Sequence, residues 1–352
     1  MSIVVVLDTI FEIVGLFMEE IVRGRWLLYV AKLAFGIMKH VLGVCLAIIM
    51  LLIVGPVESS RAAPITPSIS VKIIPSEVVP AQAGYIYIGG GYPLQVLVSL
   101  DDRPLTVFWS GSGYIALFSF DFDEPPGTHQ VITRVFDPVK NLTFDQTDTI
   151  SVLDFKYQSE QVAVPYRLAP LLDPELNQNE ISQLSALYAQ QTRPSYLDWP
   201  FGLPVPGGIV TSRFGGNRVY NGGILAAHHT GVDFRRATGE PVHATADGRV
   251  VAARLFDVRG NVIILDHGYG VFSQYAHLSK FEVKVGQYVQ RDQVIGAAGA
   301  TGRVNGPHLH FEIIVNGAPV NPIQWFALAP SFVPPREFVP EHDQPGENPS
   351  DG

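Results

Sequence analysis

Seven of the ten histidines in this 352-residue chain fall between positions 228 and 310: His228, His229, His243, His267, His277, His308 and His310. Three of their surroundings have the spacing of a shared site. His308-Leu309-His310-Phe311-Glu312-Ile313 alternates polar and apolar residues, the period of a half-buried strand, so His308, His310 and Glu312 share one face while Leu309, Phe311 and Ile313 point to a core. In His229-Thr230-Gly231-Val232-Asp233 an imidazole and a carboxylate stand four residues apart, and Gly231 argues against a helix. His229 is therefore expected on a loop entering the strand that carries Asp233 between Val232 and Phe234. Tyr275-Ala276-His277, following Gly268-Tyr269-Gly270, supplies a third group on an alternating strand. Each motif alone is commonplace and more often structural. Together, inside residues 207–326, they supply two imidazoles and a carboxylate, a three-ligand set for zinc that leaves a fourth position open for chemistry. A single cysteine excludes internal disulfides and any multi-cysteine zinc site.

The elements that would position these groups are short. Thirty-three glycines and twenty-seven prolines favour turns and strands over long helices. From Pro64 to about Leu153, strand-like segments at 68–74, 93–100, 105–109, 114–120, 129–136 and 147–153 alternate with turn signals such as Pro125-Pro126-Gly127, the pattern of a small β-sandwich. Its architecture is similar to that of bacterial immunoglobulin-like modules, and no ligand constellation is visible in it, which makes it a spacer or binding module. A linker at 156–200 contains one legible helix: Asp173 caps it, Pro174 suits its first turn, Ile181, Leu184, Leu187 and Tyr188 form its apolar side, and Pro194 stops it.

The N-terminus belongs to another environment. Residues 41–57 are an uncharged apolar run preceded by Arg23, Arg25, Lys32 and Lys39. That pattern predicts a transmembrane anchor or a secretory segment, with everything after about residue 58 outside the cytoplasm. Cys45 reads as a buried membrane cysteine rather than a lipidation site, because bulky Val44 precedes it. Hydrophobic residues make up 47% and charged ones 16%, which excludes a disordered chain, and a net charge of −9 gives no reason to expect a nucleic-acid partner. The same negative charge argues against electrostatic retention on an anionic wall. The Pro-rich acidic end, 327–352, is expected to be a disordered tail.

With these residues in view, the segment 207–326 resembles the lysostaphin-type, or M23, zinc metallopeptidases. The resemblance lies in SRFG at 212–215, HTGVD at 229–233, TGEPVHATADGRV at 238–250, YAHLS at 275–279, VKVGQYVQRDQVIGAAGATG at 283–302 and NGPHLHFEI at 305–313. It implies a β-rich domain with Zn²⁺ in a groove, held by His229, Asp233 and His310, with His277 and His308 free beside it as catalytic residues. One of them would take a proton from a metal-activated water and the other would steady the oxyanion or protonate the leaving amine; the expected division is His308 as base and His277 as oxyanion partner. Glu312 would orient a ligand imidazole. His228, next to His229, lacks the HxxxD spacing, and His243 and His267 stand at framework positions. Arg213, Asn217 and Arg218 are candidates to line the groove. The apolar insert after Arg218 is a candidate groove wall or lid, and Asn305 replaces the Ser or Thr of many relatives.

The expected fold is thus mainly β: an N-terminal membrane segment at 1–64, an immunoglobulin-like sandwich at 65–155, the linker at 156–200, an M23 peptidase domain at 201–326 and the tail. The resemblance implies hydrolysis of peptide bonds in bacterial peptidoglycan, at the extracytoplasmic face of the envelope. The competing reading is a non-hydrolytic envelope scaffold that activates another wall enzyme; the complete histidine set favours the enzyme. A biotinyl or lipoyl carrier, suggested by the glycine-rich run at 283–302, lacks a lysine at a suitable hairpin tip. Oligomeric state is not legible.

Overall fold

The computed structural model describes residues 69–189, 197 and 200–328. The apolar segment 41–57 and the tail beyond 328 lie outside them. Among the described residues no helix is long and apolar enough to cross a membrane.

Nine strands fill the first part: β1 (Ser70–Ile74), β2 (Glu77–Val78), β3 (Ala83–Gly89), β4 (Gln95–Leu100), β5 (Arg103–Leu105), β6 (Val107–Trp109), β7 (Tyr114–Ser119), β8 (Gly127–Asp137) and β9 (Leu142–Val152). They form two sheets, in the orders β1-β3-β7-β6 and β2-β9-β8-β4-β5. Ile86, Ile88, Ala116 and Phe118 of the first pack with Val98, Leu100, Val131, Val135 and Ile150 of the second. β3 was not foreseen from the sequence. It reads as a nearly unbroken apolar run bounded by glycines because both its faces are buried: Ile86 and Ile88 face the core between the sheets, while Ala83 and Tyr85 face a second core farther along the chain.

Residues 156–189 of the connecting segment are structured. They hold β10 (Ser159–Val162), a 3₁₀ turn at Tyr166–Leu172 and helix α1 (Pro174–Tyr188). Asp173 caps α1 by accepting from the N–H groups of Glu175 and Leu176, a contact whose loss to alanine typically costs about 1 kcal/mol. Its buried side is Glu180, Leu184 and Tyr188, with Leu187 partly covered. Ile181, expected on that side, is exposed; the position belongs instead to Glu180, for a reason given below. Burying Leu184 and Tyr188 against Phe256, Phe272 and Ile314 contributes about 1.5–3 kcal/mol for each side chain.

The remaining strands are β11 (Val210–Ser212), β12 (Asn217–Tyr220), β13 (Leu225–His228), β14 (Val232–Arg235), β15 (Pro241–His243), β16 (Gly248–Phe256), β17 (Gly260–Gly268), β18 (Val271–Leu278), β19 (Lys280–Phe281), β20 (Tyr288–Val289), β21 (Val294–Ala297), β22 (His308–Val315) and β23 (Ala318–Val320), followed by helix α2 (Pro322–Ala327). An antiparallel sheet runs β11-β14-β22-β18-β17-β16-β20, with β23 on β22. One of its faces packs Leu265, Tyr275, Leu309 and Phe311 against Val242 and Ile295 of a small β15-β21-β19 sheet. Its other face meets α1 at one end and carries the histidines at the other. β10 adds in parallel to the β12–β13 hairpin, so the segment expected to be a linker is tied to the insert by main-chain pairing.

The two-sheet module and the histidine-bearing part share a core. Tyr85, Phe108 and Leu117 pack in the same cluster as Val271 and Val315. Phe108 stacks on Tyr269 at 3.9 Å, Ser119 Oγ donates to the Val315 carbonyl at 2.9 Å, and Asn316 Nδ2 donates to the Leu117 carbonyl at 2.9 Å. Calorimetry of residues 65–352 is therefore expected to show one cooperative transition; two resolved transitions would contradict a common core.

Candidate metal site

Strand register assembles the site. In the antiparallel β14–β22 pair, Asp233 stands opposite His310 and Arg235 opposite His308. Alternation sends Val232, Phe234, Leu309 and Phe311 into the core and turns Asp233, His308, His310 and Glu312 to the other face. His229 sits on the loop ahead of β14, its N–H donating to the Gly216 carbonyl. A Cβ at Gly231 would lie 2.4 Å from the Phe311 carbonyl oxygen and 2.8 Å from His310 Cε1, so this loop cannot approach β22 with any side chain there.

Three atoms converge. His229 Nε2 is 3.0 Å and His310 Nδ1 2.8 Å from Asp233 Oδ1, and the two nitrogens are 3.1 Å apart. The outer nitrogens settle the protonation. His229 Nδ1 lies 2.7 Å from the Arg213 carbonyl oxygen and His310 Nε2 2.8 Å from Glu312 Oε1. Both partners only accept, so the protons belong on the outer nitrogens and the inner ones present lone pairs. Two lone pairs and a carboxylate oxygen repel at such distances unless positive charge lies among them. A divalent ion about 2.0–2.2 Å from nitrogen and oxygen donors fits that triangle, and the mixed donor set suits zinc. Without an ion, a proton takes its place. Burial opposes protonation of His310, but Asp233 and Glu312 on either side outweigh it and raise its pKa. Burial likewise opposes ionisation of Asp233, and the two imidazoles against it hold its carboxyl well below the ordinary range.

A second ring of charge holds these ligands. Arg218 donates to Asp233 Oδ2 and Ser212 Oγ, both at 2.8 Å, and to Glu160 Oε1 of β10 at 2.7 Å. Arg259 pairs with Glu312 at 3.2 Å and with Glu180 of α1 at 3.1 Å, while Glu180 also accepts the N–H groups of Val258 and Arg259. Burial would raise the Glu312 pKa, but the Arg259 charge and the His310 hydrogen bond bring it down to about 2. The Arg259 carbonyl in turn accepts the His277 N–H at 3.0 Å. A continuous chain thus runs from Glu180 through Arg259 and Glu312 to His310, with His277 braced from the same arginine. Glu180 and Arg259 were missed in the sequence, where a lone glutamate on a helix and an arginine in a turn carry no signal of their partners.

His277 arrives by an unexpected route. Ala276, not Tyr275, stands opposite His310, and Tyr275 is buried in the core with its hydroxyl accepting from Thr245 N–H. Strict alternation would send His277 to Tyr275's side, away from the site. Its backbone instead takes φ 63°, the left-handed region, which breaks the alternation and brings its ring within 4.9 Å of His308 and 5.8 Å of His310 between centroids. His277 Nδ1 donates to the Thr301 carbonyl and His308 Nδ1 to the Gly306 carbonyl, each at 2.9 Å, so both rings offer an unprotonated Nε2. His308 Nε2 is 3.8 Å from Asp233 Oδ1. Burial, reinforced by His310 and His308, pushes the His277 pKa well down.

The other candidates separate from this cluster. His228 stacks flat on Phe122 of the two-sheet module at 4.4 Å, outside the ligand triangle. His243 is in β15, and His267 bridges the Asp247 carbonyl and Ser273 Oγ inside the core. Arg213 serves through its carbonyl; Asn217 is paired within the β10-β12-β13 sheet. Asn305 Nδ2 donates to the Ala163 carbonyl at 3.0 Å, so this departure anchors the connecting segment.

Residues 227–322 match the model of peptidase family M23. Among curated proteins, the chain is 43% identical over 130 residues to peptidoglycan DD-endopeptidase ShyA of Vibrio cholerae, covering 37% of this chain and 30% of that protein. It is 45% identical over 104 residues to glycyl-glycine endopeptidase ALE-1 of Staphylococcus capitis, covering 29% of each. The chain thus spans less than a third of the length of either relative. A Pseudomonas aeruginosa crystal structure, described as a candidate M23 peptidase, superposes with TM-score 0.53 at 26% identity over 71% of this chain and 95% of that one.

Glu180→Gln should loosen Arg259 and Glu312 and weaken zinc binding about 10- to 100-fold, read by chelator competition on folded protein. Leu184→Ala on the same helix, which leaves the ion pairs in place, should lower thermal stability with little change in zinc affinity. Burial lowers the His267 pKa from 6.5 to about 4, so the unfolded chain binds the extra proton and stability falls as pH drops through that window. His267→Gln should remove roughly 3 kcal/mol of the stability difference between pH 7 and pH 4 seen in urea titrations of the wild type.

Proposed function

We propose that this chain, whose residues 227–322 match the model of peptidase family M23, is a zinc-dependent endopeptidase that hydrolyses peptide bonds of bacterial peptidoglycan. The observation that carries the reading is the convergence of His229 Nε2, Asp233 Oδ1 and His310 Nδ1 beside two further imidazoles, His277 and His308, whose Nδ1 atoms lie against the Thr301 and Gly306 carbonyls. The family match and the endopeptidase names of the relatives support the substrate class.

Zinc held by those three atoms would supply a Lewis acid for the scissile carbonyl and acidify water. The protein's own groups divide the remaining work. Arg213, Glu312 and Arg218 fix the ligand side chains in the geometry that donates lone pairs inward. His308, half-buried at the mouth, accepts the proton of the attacking water at Nε2. Burial keeps His277 a weak base with its Nδ1–H on the Thr301 carbonyl, so it donates at Nε2 to the oxyanion or the leaving amine only after receiving there the proton that His308 takes from the water. The same proposal includes an immunoglobulin-like classification of the two-sheet module, and an extracytoplasmic location with residues 41–57 as anchor or export segment, since the substrate lies outside the membrane.

The deciding experiment is metal content and wall-degrading activity of residues 65–352. One zinc per chain is expected, with release of peptides from peptidoglycan. His308→Ala should retain zinc and lose about 10²–10⁴-fold in rate, whereas Asp233→Ala should lose the metal itself. Stoichiometric zinc without product from any peptidoglycan type would favour the scaffold reading instead.

A further inference from the structure

The face that bears the metal ligands carries one more charged side chain. Arg235 ends β14 directly opposite His308, as Asp233 stands opposite His310. Opposite residues of an antiparallel pair share a face, with Cβ atoms about 5 Å apart. Arg235 therefore rises on the metal-site side, next to a free imidazole. Its backbone N–H is held by the Ile209 carbonyl at 2.9 Å. Its side chain is exposed and, among the described residues, makes no ion pair or hydrogen bond. Two arginines that hold the ligands differ in this: Arg218 is spent on Asp233 and Arg259 on Glu180 and Glu312.

The surroundings form a place for a ligand. Arg235, Arg236, Gly207, Ile209, Glu240 and Pro307 line an open groove of about 470 Å³. Pro307 immediately precedes His308, so the groove leads onto the site. Arg236 is partly engaged, donating to the Pro206 carbonyl at 2.8 Å, and Glu240 accepts the Ala237 N–H at the groove's edge. What remains is a guanidinium with no ion-pair partner among the described residues, beside apolar Ile209 and Pro307, on the strand position opposite His308. A guanidinium fork of this kind binds carboxylates in a planar, bidentate geometry.

We propose that Arg235 binds a free carboxylate on the residue adjoining the scissile bond. This rests on the endopeptidase reading and narrows its substrate. A cross-link acylated on one amino group of a diamino diacid leaves a carboxylate on the same carbon as the scissile nitrogen. A residue spans about 3.5 Å of extended chain, so that carboxylate falls within reach of a side chain next to His308. A glycine bridge offers only neutral amides there. The groove thus selects anionic, diamino-diacid cross-links over glycine bridges.

The test pairs the zinc-loaded chain and its Arg235→Ala variant with two cross-linked peptides that differ only in that group, carboxylate or carboxamide. The wild type should prefer the carboxylate peptide in kcat/KM, mainly through KM. The loss caused by Arg235→Ala should be about 10- to 100-fold greater on the carboxylate peptide than on the carboxamide, the range of a charge-assisted hydrogen bond. Arg235→Lys should recover part of it. Equal losses on both peptides, or no preference in the wild type, would overturn the assignment, with zinc content and melting temperature confirming that each variant is folded. If the wild type cleaves neither peptide, the endopeptidase reading fails separately. Equilibrium binding of the same pairs then decides Arg235, and affinity independent of the carboxylate would overturn it.

Discussion

Positive charge is what the centre of this molecule lacks and must be given. Asp233 and Glu312 are buried on either side of His310, and a buried carboxylate persists only where partners compensate its desolvation. Arg218 answers the outer oxygen of Asp233 and Arg259 answers Glu312, which leaves Oδ1 of Asp233 and two imidazole lone pairs pointing at one another. Much of the surrounding structure follows from satisfying that arrangement. β10 brings Glu160 to the far side of Arg218. Helix α1 brings Glu180 to the far side of Arg259, which is why a glutamate occupies the buried stripe where an apolar residue was expected.

The ligand triangle was legible because it obeys local rules. HxH on a strand and HxxxD at a loop–strand entry depend on period-two alternation and one required glycine, and those are written in a few adjacent residues. His277 shows where such rules stop. The strand carrying it was readable, but the face it presents depends on a left-handed residue that propensity gives no reason to place there. Glu180 and Arg259 were illegible for a different cause: their meaning lies in partners 79 residues apart in the chain, and only the folded contact distinguishes them from solvated surface charges.

The two-sheet module was readable as β structure for the same reason as β22. β8 alternates Val131, Thr133 and Val135 inward against Ile132, Arg134 and Phe136. β3 escaped because alternation is a signature of one solvent-facing side, and β3 has none. The segment 156–200 reads as a linker with one helix; its described residues add to that helix a parallel strand and a turn of 3₁₀ helix, all fastened to the histidine-bearing part. A short strand such as β10, with no periodicity of its own, forms where a neighbour supplies the pairing.

That double burial of β3 has a consequence for how such a protein diverges. Ile86 and Ile88 answer to one set of neighbours and Ala83 and Tyr85 to another, so almost no residue of the strand is free to drift. A chimera that replaced the two-sheet module with a foreign one would inherit a mismatched inner surface beneath Tyr269 and Val315, however well the new module folded by itself. The two parts are therefore expected to travel through evolution as a matched pair, with variation concentrated at the outer sheet edges, where β5 and β6 end.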